Sequence, residues 1–297
     1  MPRKERQMFK FNCPIRVFPV TVKPSKILKA LGLTIACLAI MSLPAFSGAI
    51  LDPAGFNANT LAGNDDGSTA AVPLGFSVNF FGANSSTVFV NNNGNVTFNS
   101  ALSQFTPNGL ATGVGQPIIA PYFADVDTRV GNVVTYGTGT VNGFAAFGVE
   151  WPNVGYFFEH TNKVADFELI LIDRADTGAG NFDIEFNYNT VQWETGDASG
   201  GTNGLGGTSS AVGYSNGVSG SGNVFFQLPG SLVNGALIDG GVDALVSHDL
   251  NSSVLGRYDF QVRNGTVVTG TPEPGTFILL GLGLGAVALG KLRRKAV

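Results

Sequence analysis

The sequence predicts an all-β protein: an antiparallel β-sandwich or barrel-like single domain, flanked by an N-terminal signal segment and a C-terminal transmembrane helix. Three observations carry this. No helical periodicity of useful length runs between Ile50 and Thr271. Short apolar-alternating segments recur there, and Gly- and Asn-rich turns separate them. Apolar runs bordered by Lys and Arg lie only at the two ends of the chain.

From the N-terminus, Met1 to Lys29 holds eight Lys or Arg and one acid, followed by the apolar run Ala30 to Leu43. "PAFSGA" then offers small residues at Ala45 and Ser47, or at Ser47 and Ala49. A positive region, a short apolar core and a small-x-small site read as a secretory signal peptide over residues 1–49. The leader is long, so Met8 is an alternative start, and Cys37 lies mid-core without the small residues that lipoprotein cleavage needs.

The exported region, residues 50–270, suffices for one domain with a real core. "STVFVNNNGNVTFNS" sets Val88 and Val90 against Val96 and Phe98 around an Asn-Gly turn, a hairpin signature. "NFDIEFNY" places Phe182, Ile184, Phe186 and Tyr188 on one face and Asp183, Glu185 and Asn187 on the other, which marks a half-buried strand. "DFELILID" is apolar enough for burial on both faces. Residues 196–222 hold ten glycines and read as a long mobile connector with one short strand near Val212 to Tyr214. Both cysteines, Cys13 and Cys37, fall in the leader, so the mature domain has no disulfide or thiol chemistry.

Charge is unevenly spread. Between Ala49 and Gly270 lie five Lys and Arg against nineteen Asp and Glu, a formal charge of −14 hidden by the whole-chain value of −4. Such a surface repels nucleic acid, whose binding requires cations on phosphates. It attracts divalent cations or basic surfaces. Both basic ends favour the cytoplasmic side of a membrane, leaving the acidic domain outside.

The third segment, 271–297, opens with Pro272-Glu273-Pro274 and closes with Lys291, Arg293, Arg294 and Lys295. Between them Phe277 to Leu292 spans about 24 Å as a helix, marginal against a hydrocarbon core of about 30 Å. Gly281 and Gly285 have the spacing of a helix-pairing motif, although they also suit an unpaired glycine-rich span. This order of parts resembles the PEP-CTERM sorting signal. The resemblance implies export in a Gram-negative, exopolysaccharide-producing bacterium. It also implies recognition by an exosortase-type membrane transpeptidase, with transient anchoring through the C-terminal helix before placement at the cell surface or in the extracellular matrix.

Within the exported region, "VFVNNNGNVTF", "PIIAPYFADVDTRVGNVVTYG", "FGVEWPNVGYF", "NKVADFELILI", "FDIEFNYNTVQWETGD", "AVGYSNG", "FFQLPGS" and "GRYDFQV" together resemble the NIDO domain first defined in nidogen. The resemblance runs from about Val72 to Arg263. Tyr122-Phe123 stands where Phe-Trp is more usual. It implies a non-catalytic role in cell–matrix adhesion or in exopolysaccharide or biofilm scaffolding, with an extracellular polysaccharide or a matrix or surface protein as partner.

Three kinds of site are possible from the sequence. Asp125 and Asp127, two apart in an extended segment, face the same way and can meet one Ca2+, with Asn132, Asp173 or Asp176 as further ligands. The alternative is that they bind turn amides or pair with Arg129. Trp151, Tyr156 and Trp193, with Phe157 and Phe158, can present an aromatic platform to a sugar, or fill the core as an all-β domain requires. "NVGYFFEHTNK" reads as a loop around His160 that can expose one aromatic patch. A lectin-like, calcium-dependent glycan binder is therefore the second reading. A carbohydrate-active enzyme is a third, but nineteen acids supply pairs such as Glu150 with Glu185 or Glu194 by chance. His160 and His248 have no GxSxG elbow near them. Sequons occur at Asn84 and Asn264.

Overall fold

The computed structural model describes residues 48–51 and 55–268. The signal peptide, the sorting segment and the expected C-terminal transmembrane helix lie outside these residues. Among the described residues no helix is long and apolar enough to cross a membrane.

In chain order the first strands are β1 (Asn59–Thr60), β2 (Val72–Phe80), β3 (Ala83–Asn91), β4 (Asn95–Thr97), β5 (Ile118–Phe123), β6 (Val126–Asp127) and β7 (Thr135–Val141). There follow β8 (Phe144–Tyr156), β9 (His160–Asp173), β10 (Phe182–Val191), β11 (Ala211–Ser215), β12 (Phe225–Gln227), β13 (Arg257–Arg263) and β14 (Thr266–Val268). Eight form one sheet in the order β1-β7-β8-β9-β10-β13-β14, with β6 added on β8; six form a second sheet, β12-β11-β5-β4-β3-β2. All strand pairings named here are antiparallel. The result is a sandwich. Each sheet keeps two free ends, so no barrel closes and the barrel-like alternative is corrected.

Alternation builds the core. In β10, Phe182, Ile184, Phe186 and Tyr188 are all buried and face the second sheet, meeting such residues as Phe80 and Tyr122 in one continuous cluster. Residues Phe167 to Ile172 of β9 are buried throughout, including Glu168, as the largely apolar DFELILID segment allows.

Two sequence expectations change. The polar face of β10 is not simply solvated: Glu185 and Asn187 are buried. The chain just beyond the leader covers it, with the Leu51 N–H donating to Glu168 Oε2 at 3.0 Å and Arg257 donating to the Ala49 carbonyl at 2.9 Å. Likewise, the glycine-rich stretch 196–222 is no solvated connector along its whole length. Ser199, Ser209 and Ser210 are buried, and the short strand expected near Val212 to Tyr214 is present as β11, between β5 and β12 with all five residues buried. At Gly213, φ is +143° and a side chain would strike the Phe226 carbonyl, so glycine is what lets the two strands approach.

Candidate functional site at one end of the sandwich

The loop end that gathers the predicted residues is built around the β3–β4 hairpin. Its Asn92 and Asn93 are fully buried, and their amides hold two separate segments in place. Asn92 Nδ2 donates to the Val126 carbonyl at 2.7 Å and to the Asp65 carbonyl at 2.6 Å. Asn93 Oδ1 accepts from the Val126 N–H at 2.9 Å while its Nδ2 donates to Asp66 Oδ1 at 2.9 Å. The loop carrying Asp65 and Asp66 is thereby fixed beside the turn between β5 and β6.

Here the two carboxylates paired by sequence spacing separate. Asp127 is taken up by Arg129, whose Nε donates to Oδ1 at 2.9 Å and whose Nη2 donates to Oδ2 at 2.5 Å. The Glu159 N–H adds a bond to Oδ2 at 2.9 Å. These donors outweigh burial and hold the Asp127 carboxyl below its usual range. Asp125 has no such partner. It is 1% exposed, and its single hydrogen bond comes from the Ser199 hydroxyl at 3.4 Å. Burial, then repulsion from Asp65 and Asp66, pushes its pKa up to about 7. Burial and repulsion from Asp66 raise Asp65 to about 6, and its Oδ1 is buried without a hydrogen-bond partner.

Asp65, Asp66 and Asp125 each turn an oxygen to a common point, with these atoms within 4.8 Å of one another. Three hard oxygen donors in this arrangement suit a divalent cation in the calcium class, although Ca2+ takes six to eight ligands in all. Sequence reasoning missed Asp65 and Asp66. The available signal was "NDDG", an acidic turn about sixty residues before Asp125, and nothing in the spacing joins the two.

The aromatic expectation is corrected by burial. Trp151 and Trp193 are 0% exposed and Tyr156 is 1% exposed. Trp151 stacks on Phe167 at 4.9 Å and donates its indole N–H to the Asn92 carbonyl at 2.9 Å. Trp193 donates to the Val154 carbonyl at 3.1 Å, lies edge-on to Tyr122 at 5.7 Å, and its own carbonyl accepts from the Tyr122 hydroxyl. Both indoles hold the two sheets and their loops together, and neither is a ligand-facing platform. The outward aromatic is Phe158 at the β8–β9 turn, 61% exposed, with the Arg129 guanidinium 5.9 Å from its ring.

Beside it lies a shallow depression of about 340 Å3 lined by Tyr156, His160, Asn162, Asp197, Gly201, Thr202 and Asn203. His160 Nε2 and Asp197 Oδ2 are 3.0 Å apart, and the Tyr156 hydroxyl meets Asn162 Oδ1 at 3.0 Å. His248 instead faces its own turn, with Nδ1 2.9 Å from the Ala244 carbonyl. Of the other suggested ligands, Asp173 caps the Ala175 N–H at 3.0 Å and Asp176 pairs with Arg174 at 3.0 Å; neither belongs to the carboxylate group around Asp125.

Residues 86–264 match the family described as the nidogen-like domain. The chain belongs to that family. Residues 271–295 match the PEP-CTERM protein-sorting motif and contain both Pro272-Glu273-Pro274 and the basic cluster from Lys291 to Lys295. This motif implies exosortase-dependent export and placement at the cell surface or outside the cell. Among curated proteins the chain is similar to alpha-tectorin of Homo sapiens and of Mus musculus, each 32% identical over 228 residues, and to that of Gallus gallus at 31%. The match takes in 67% of this chain and 10% of each alpha-tectorin, so the chain spans about a tenth of the length of those relatives. No solved structure matches. Nidogen-like domains are structural or adhesion-type modules rather than enzymes.

Proposed function

We propose that this protein is a non-catalytic surface or matrix component, acting in cell–matrix adhesion or in scaffolding of an exopolysaccharide or biofilm matrix. The observation that carries the reading is the joining, in one chain, of a nidogen-like domain to a PEP-CTERM sorting motif. In this reading the apolar segment Phe277 to Leu292 is a temporary membrane anchor until an exosortase-type transpeptidase cuts it. Co-sedimentation tests the role: exported protein is mixed with matrix stripped from the producing strain, and saturable retention is expected. Absence of retention removes the adhesion reading and leaves the family unaffected.

A second reading is favoured by one specific observation, the convergence of Asp65, Asp66 and Asp125 without a basic partner on Asp125. In it the protein binds its glycan only with Ca2+ at that point. A chelator added to the same assay then abolishes retention, whereas retention that survives chelation eliminates the calcium requirement.

A further inference from the structure

A groove lies far along the chain from the Asp125 loops, on the outer face of the eight-stranded sheet. The short strand β14 pairs only with Gln261 to Arg263 of β13. Below it the exposed edge of β13 is closed by the 249–253 loop, where the Leu250 N–H donates to the Arg257 carbonyl at 3.1 Å and the Leu250 carbonyl accepts from the Asp259 N–H at 2.9 Å. Loop and sheet enclose a groove of about 680 Å3.

Strand register decides its lining. Glu185 pairs with Asp259 and Asp183 with Gln261, so these four side chains form a two-by-two patch on one face. Ile172 and Leu250 add apolar surface, and Ser252 and Ser253 add hydroxyls. Acids line this groove and no Lys or Arg does. Asp183 and Glu185 are held by Arg174, Arg263 and Arg257 at 2.7 to 3.0 Å. Asp259 has no such partner: its Oδ1 is buried and accepts no hydrogen bond. Burial and the neighbouring Glu185 raise it to about 7, so near neutrality it can either accept or donate.

We propose that this groove binds a polyhydroxylated, uncharged glycan segment. Apolar patches for ring faces, with a few unsatisfied polar groups at fixed positions, are what such a ligand requires. The lining selects against uronic-acid or sulfated chains, because the nearby arginines are already engaged by Asp183 and Glu185 and an anion entering there meets Asp249 and Asp259, which have no ion pair among the described residues. The inference rests on the matrix reading and specifies which chemistry of the matrix is held, and where.

The test uses the full exported protein and matrix polysaccharide separated by anion exchange into neutral and acidic fractions. Wild type is expected to be retained by the neutral fraction. Asp259→Ala and Gln261→Ala should each weaken that retention about tenfold or more, since each deletes a group built to meet a hydroxyl. Neither should lower the melting temperature: Gln261 is exposed, and Asp259 is half-buried with its Oδ1 accepting no hydrogen bond. Val242→Ala, at a 78% exposed position outside the groove lining, should bind as wild type does. Retention of wild type with both groove variants unaffected overturns the groove and leaves the matrix reading standing. Preference for the acidic fraction overturns the selectivity, and with it the proposal. Retention by neither fraction overturns both readings together.

Discussion

Replacing Asp125 by Asn should stabilise the metal-free protein, and only at high pH. The carboxyl is 1% exposed and is raised from 3.8 to about 7. A group whose folded pKa lies above its unfolded value favours the folded state while it stays protonated in the fold, and that contribution disappears as pH rises through the folded pKa. Three units at 1.36 kcal/mol each set a ceiling of about 4 kcal/mol on the cost of ionising it. Part of that sum is repulsion shared with Asp65, which proton uptake at either residue relieves, so about 2 kcal/mol is the working figure. For a domain of this size that is a rise in melting temperature of about 4–8 °C. The assay is thermal melting in chelator at about pH 3, below the unfolded value, and at about pH 8, above the folded one. At the lower pH the variant and wild type should coincide; at the higher pH the variant should melt later. Excess Ca2+ should then raise wild type and leave the variant nearly unmoved, because the ion takes over the neutralisation that Asn supplies. A variant no more stable than wild type at high pH refutes the electrostatic argument. An equal calcium shift in both proteins refutes the cation site.

Trp193→Ala should cost about 3–5 kcal/mol in urea unfolding, since it empties a fully buried indole site and strips a hydrogen bond from the Val154 carbonyl; a loss under 1 kcal/mol would reopen the platform reading of Trp193. Glu168 is buried, pushed up to about 8, and leaves Oε1 without a partner, so stability should fall as pH climbs from the ordinary carboxylate range through about 8. Glu168→Gln should flatten that fall, and identical pH profiles would contradict it. Intact-mass measurement of the surface-located protein should find Leu292 to Val297 missing. A full-length C-terminus would remove the exosortase cut.

What was legible in the sequence is what local spacing determines. Period-two alternation announced β10, the Asn-Gly turn announced the β3–β4 hairpin, and the largely apolar segment of β9 announced burial on both faces. Alternation does not say what lies across from a face. Trp151 and Trp193 could be read as platform or core until the second sheet was placed against them. The polar side of β10 read as solvated because its covers, residues 48–51 and the 249–256 loop, come from over a hundred and about sixty residues away. Asn92 and Asn93 read as turn formers, and they are; their side chains also fasten Asp66 and Val126, which no turn statistic encodes. Asp65 and Asp66 were lost for the same reason.

The distribution of the few cations ties these observations to function. Each of the four arginines described forms an ion pair with a buried or half-buried acid: Arg129 with Asp127, Arg174 and Arg263 with Asp183, Arg257 with Glu185. The single lysine of the described region donates to the Asn203 carbonyl at 2.6 Å. A chain that neutralises its acids with so few bases has placed them where the fold needs them. Asp125 and Asp259 receive no ion pair among the described residues, although both are pushed to about 7 by burial and like charge. Asp259 lines the open groove of the outer sheet face, whereas Asp125 sits 1% exposed in the loop cluster with Asp65 and Asp66. Glu168 is the instructive contrast. It is equally unpaired, but its Oε2 accepts from the Leu51 N–H and the Asn187 amide, so the protein itself closes that site. An unpaired carboxyl that the chain covers is a cost to stability; one left open at a rim is an acceptor waiting for a cation or a hydroxyl. On that criterion the outer groove at Asp259 is the open acceptor, and the Asp125 cluster is a buried group whose charge a bound cation would relieve.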